Sequence, residues 1–131
     1  MATLGQFLLV MIGGAIGSGM RYGVYLACSV WNAKTTFPIG TFAVNVIGSF
    51  SITLITTVAL TNHVLSTNVT LFLTAGVMGG LTTYSSFNND LVQFLKNENY
   101  SAFAINALAT FVVCLGSGLL GLYAGKNWFP K

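Results

Sequence analysis

The chain alternates long apolar stretches with short polar ones. Leu4 to Val30 carries a single charge, Arg21; Phe37 to Leu60 carries none; Val69 to Leu95 carries only Asp90; Tyr100 to Gly125 carries none. A helix needs about 20 residues to cross a bilayer, and each stretch is long enough. The pattern predicts an all-α membrane protein with four spans, near residues 4–30, 37–60, 69–95 and 100–125, in one domain over residues 1–131. The connectors, Trp31 to Thr36, Thr61 to Asn68 and Lys96 to Asn99, leave no soluble domain between spans.

Composition agrees: 54% of residues are hydrophobic and 5% charged, against about 25% charged in soluble domains. Residues 1 to 20 hold no Lys or Arg, and the first apolar stretch outruns a signal peptide's core, so it is expected to be retained. Cys28 and Cys114 lack metal-ligand spacing and read as buried thiols. His63 is the only histidine and stands far in sequence from Asp90 and Glu98. No nucleophile–base pair or ligand cluster is visible, so an enzyme is not expected. The pI of about 9.1 rests on five cations, mostly at membrane edges, and gives no support to nucleic-acid binding.

Lysines and arginines should set the orientation, yet they nearly balance. Lys126 and Lys131 fall on the side of the amino terminus, the Thr61 to Asn68 loop and the carboxyl terminus; Lys34 and Lys96 fall opposite, with Arg21 nearer that side. So weak a bias lets the chain insert both ways. An antiparallel homodimer and a single fixed orientation are both open.

Every span carries small or polar residues at helical spacing. Gly13, Gly17 and Arg21 recur in the first; Thr41, Asn45 and Ser49 in the second; Gly76 and Gly80 in the third; Asn106, Thr110, Cys114 and Ser117 in the fourth. Small residues let helices approach closely in lipid, so packing explains the glycines. Asn45 and Arg21 are harder to explain that way, because an amide needs partners and a guanidinium needs water or protein around it. Snorkelling could satisfy Arg21, but its place on the glycine stripe points inward.

The third span then reads Gly79-Gly80-Leu81-Thr82-Thr83-Tyr84-Ser85-Ser86-Phe87. The two glycines, with threonines able to bond their own backbone, predict local unwinding there. Unwound carbonyls suit a hard monovalent cation, and the following half-helix amino terminus suits an anion. Tyr84 and Phe87 share a face and could offer ring edges of positive character.

Three segments in order carry a resemblance: Gly13-Gly14-Ala15-Ile16-Gly17 leading to Arg21-Tyr22, then Gly40 to Phe50, then Gly79 to Phe87. Together they resemble the bacterial Fluc (CrcB) fluoride channels, with a looser match around Gly116-Ser117. The resemblance implies a passive fluoride-selective channel in the bacterial inner membrane that exports fluoride and relieves its toxicity. It implies an antiparallel dual-topology dimer with two pores, a central sodium ion and a third helix broken at its centre. By the family pattern Asn45 lines the pore and bonds fluoride, and Phe87 offers its ring edge. Gly79 and Thr82 give backbone carbonyls to sodium, and Arg21 draws anions in at the mouth.

Three positions depart from the family. Tyr84 replaces the usual phenylalanine, Ser86 the usual threonine, and Asp90 a frequent glutamate. These departures leave two assemblies open, a homodimer first and a heterodimer with a sister subunit as the alternative. Fluoride is small and tightly hydrated, so a selective path needs close donors, here Asn45, Thr83, Ser85, Ser86 and Ser117, holding it loosely enough to release.

Two other functions fit parts of the pattern. A small proton-coupled multidrug exporter needs a membrane carboxylate, and the first span has none, with Asp90 late in the third. A non-transporting scaffold would use the glycine stripes but leaves the hydroxyl run, Asn45 and Arg21 unexplained.

Overall fold

The described residues, 3–62 and 65–127 of a computed structural model, are helical throughout apart from caps and short connectors. His63 and Lys131 lie outside them. Helix α1 (Leu4–Asn32) begins with Thr3, whose hydroxyl accepts from the Gln6 N–H while the Gln6 amide accepts from Thr3 N–H. Such reciprocal caps satisfy amides that open a helix. A tight turn leads to α2 (Ile39–Asn62), where the Asn32 side chain accepts from Ile39 N–H at 3.0 Å.

The third span is a bent, composite element. It comprises α3 (Thr67–Leu71), a π-helical stretch (Phe72–Met78), one turn α4 (Gly79–Leu81) and, after an interruption, α5 (Tyr84–Lys96). Helix α6 (Tyr100–Asn127) completes the fold. Helices α1, α2 and α6 are each long and apolar enough to cross a membrane. The chain is a multi-pass membrane protein of four helices, one of them bent.

Two glycine seams hold it together. In the first, α1 runs parallel to the third span: Gly13 faces Gly76, Gly17 faces Val77, and Gly14 faces Gly80. A Cβ on Gly76 would stand 2.9 Å from Gly13 Cα, and one on Gly80 3.1 Å from Gly14 Cα, so a side chain at either would push the helices apart. In the second, Gly118, Gly121 and Gly125 of α6 lie along Ser49, Phe50, Thr53 and Thr57 of α2. The core sits where α1, α2 and the third span meet, around Val44, Val77, Met78 and Leu81. Large apolar side chains such as Phe7, Met11, Leu108 and Phe111 face outward, as lipid requires.

The interruption is not where the glycines predict it. Gly79 and Gly80 are helical, and the chain extends only at Thr82 (φ −77°, ψ 156°) and Thr83 (φ −154°, ψ 108°). The reason is that Gly80 is required for close approach to α1, whereas the threonines carry hydroxyls that can cap both sides of a gap. Thr82 donates to the Met78 carbonyl at 2.9 Å, and Thr83 accepts from Ser86 N–H at 3.1 Å as the cap of α5.

Candidate functional site: the interrupted third span

The interruption leaves backbone groups without helical partners, and α2 supplies one side chain that meets two of them. Asn45 accepts from Thr83 N–H at 2.8 Å and donates Nδ2–H to the Thr83 carbonyl at 3.1 Å. A primary amide has two N–H groups and one carbonyl, so one Nδ2–H remains for another acceptor. Thr83 N–H is the donor that would otherwise close a turn onto the Gly79 carbonyl. Its diversion to Asn45 leaves Gly79, whose residue is exposed, with a carbonyl lacking that partner.

Arg21 approaches the same place from α1. Its guanidinium donates to the Thr82 carbonyl at 3.5 Å and is half-buried. The residue therefore sits beside the interruption.

Three hydroxyls cluster at the start of α5. Thr83 donates to Ser86 Oγ at 3.0 Å, and its oxygen lies 3.2 Å from Ser85 Oγ. With the Thr83 hydrogen committed to Ser86, Ser85 donates to Thr83. Ser86 is then the one member whose own hydroxyl hydrogen is uncommitted. Just beyond, Tyr84 and Phe87 place their ring centroids 5.9 Å apart at an interplanar angle of 53°. Tyr84 is 78% exposed, so its phenol is free to meet whatever lies beside this face.

Asn45, Thr82 and the two rings open onto a groove of about 770 Å³ that runs between α2 and α6. Asn45, Thr82, Tyr84 and Phe87 line one end, and Ser49, Thr53, Thr56, Thr57, Thr110 and Cys114 continue it. The α2 hydroxyls that line this groove donate to carbonyls: Ser49 to Asn45, Thr53 to Ser49 and Gly118, Thr56 to Ile52, and Thr57 to Thr53. They present lone pairs rather than hydrogens.

Of the residues expected to act together, Asn45, Thr82, Thr83, Tyr84, Ser85, Ser86, Phe87 and Arg21 assemble at the interruption. Ser117 does not join them as a donor, because its hydroxyl donates to the Val46 carbonyl at 2.8 Å and ties α6 to α2. Asn106, on the polar stripe of the fourth span, gains a further property from the structure. It is 1% exposed, its carbonyl accepts from Thr110, and its Nδ2 has no partner. Its place on the stripe with Thr110 was the available signal; its unpartnered amide was not readable. Backbone carbonyls at Gly79 and Thr82 are hard oxygen donors, the type a monovalent cation takes. Among the described residues no group of three His, Cys, Asp or Glu could hold a metal ion.

Comparison with known proteins covers nearly the whole chain. The profile described as "CrcB-like protein, Camphor Resistance (CrcB)" matches residues 8–122. A protein of Sorangium cellulosum (strain So ce56), named fluoride-specific ion channel FluC, is 44% identical over 122 residues, covering 93% of this chain and 95% of its own. Relatives of the same name from Anaeromyxobacter sp. (strain K) and Agrobacterium fabrum (strain C58 / ATCC 33970) are 44% and 41% identical. They cover 86% and 92% of this chain, and 88% and 96% of their own.

Proposed function

The chain belongs to the CrcB-like family, and on that premise we propose that it is a passive fluoride-selective channel of the bacterial inner membrane. Its task is to let fluoride leave the cytoplasm and so relieve fluoride toxicity. Ions move down their gradient, so no covalent chemistry is involved. The observation that carries this reading is the clamp of Asn45 on Thr83, which holds an extended backbone and a cluster of polar donors within the third span.

The anion path uses the uncommitted hydrogens. The second Nδ2–H of Asn45 and the hydroxyl of Ser86 are direct donors, and Thr83 and Ser85 orient Ser86. Phe87 and Tyr84 offer ring edges, and the Tyr84 phenol adds a donor. Ser117, its hydrogen given to the Val46 carbonyl, contributes packing. Arg21 lends positive potential beside the interruption, which raises the local anion concentration. Because these groups are mostly neutral dipoles, fluoride can exchange its water for them and still leave.

The carbonyls of Gly79 and Thr82 would hold a structural sodium ion, supplying a fixed positive charge at the centre of an antiparallel dual-topology dimer. Two features support this: the Gly79 carbonyl lacks its helical donor, and the groove between α2 and α6 is open for a partner. A homodimer is proposed first, with a sister subunit as the alternative. Purified protein in liposomes tests the function. Fluoride is expected to leave rapidly while chloride stays, with no proton gradient; equal passage of both, or retention of fluoride, rejects it.

A further inference from the structure

Asp90 lies on the same face of α5 as Ser86 and Phe87, one turn further along. Among the described residues it has no ion-pair partner, and its Oδ2 is buried without a hydrogen bond. The Tyr25 hydroxyl of α1 is likewise buried and unpartnered. Both residues line one open cavity of about 260 Å³, together with Asn32, Thr35, Thr36, Phe37, Pro38 and Thr41 at the turn between α1 and α2. Every polar side chain on this wall can present an oxygen, and no lysine or arginine is among them.

An oxygen-lined chamber with one carboxylate and no cationic side chain is built for a small positive ion. We propose that it is a cation site, taking a hard monovalent cation of the sodium type with part of its hydration shell. The carboxylate of Asp90 supplies the charge, and the hydroxyls of Tyr25 and Thr41 complete the oxygen set. Hard cations select such oxygen donors, and the volume leaves room for retained water. The site stands on geometry alone. Its role rests on the anion-channel reading: a bare carboxylate a turn from Phe87 would repel fluoride, and a bound cation cancels that charge.

Thallium(I), a monovalent ion visible by anomalous diffraction, tests the site apart from the function. Crystals of the full chain soaked in a thallium salt should show a peak between Asp90 Oδ2 and Tyr25 Oη. Asp90→Asn should abolish it, and Tyr25→Phe should weaken it. In detergent, the thallium concentration giving half the maximal thermal stabilisation should rise about tenfold in Asp90→Asn, as expected when a full charge leaves the ligand set. Water alone in the wild-type cavity, or an unchanged peak in Asp90→Asn, overturns the proposal. Fluoride efflux from liposomes reads separately on the channel, so loss of one result leaves the other standing.

Discussion

Two groups of hydroxyls in this molecule behave in opposite ways. Along α2, Ser49, Thr53, Thr56 and Thr57 all donate to carbonyls, mostly of their own helix. At the start of α5, Thr83, Ser85 and Ser86 bond one another and one backbone N–H. The residue types are the same; the backbone differs. Inside an intact helix the carbonyl four residues back takes a hydroxyl hydrogen, whereas at a helix start the nearest backbone groups are N–H donors that need acceptors. Only the second arrangement leaves a hydroxyl hydrogen for a passing anion.

Substitutions can break or sharpen that contrast. The largest effect is expected at Asn45, which joins the two regions. Asn45→Asp puts a carboxylate against the Thr83 carbonyl and removes both N–H donors. With about 1–3 kcal/mol lost per unmet buried group, fluoride flux should fall by roughly 100-fold in liposome efflux. Near-normal flux would remove Asn45 from the site. Next, Ser86→Ala should slow efflux about tenfold through loss of one charge-assisted donor. Thr56→Val, on α2 in the groove that Asn45 and Phe87 also line, should change it less than about twofold, since its hydroxyl is already committed. Equal losses in the two variants would erase the distinction. Thr83→Val removes the cap of α5 and should cost about 1 kcal/mol, read as a drop of a few degrees in thermal unfolding. Tyr84→Phe is expected to do least, keeping or raising flux; a large loss would make the phenol a required donor.

Much of this was legible in the sequence because it follows from local spacing. The glycine stripes of α1 and the third span became one seam, and the hydroxyl run from Thr82 to Ser86 became the polar site. What misled was a residue with two uses. Gly79-Gly80 signals either unwinding or close approach, and here Gly80 packs against Gly14 while the chain extends at Thr82 and Thr83. The π-helical stretch from Phe72 to Met78 had no sequence signature. Nor could the chain show that Tyr25 and Asp90 line one cavity, because their meeting depends on how α1 and α5 pack. For Asn106, the stripe gave the position, and only the fold revealed an amide without a partner.

The clamp of Asn45 on Thr83 also orders the molecule's manufacture. The two residues are 38 positions apart, and a ribosome delivers the earlier one first. When Thr83 reaches the bilayer, the amide that satisfies its exposed backbone is already there in α2. Bare peptide groups in hydrocarbon cost several kcal/mol, so a gene rearranged to deliver the third span before the second would leave that segment without shelter during insertion.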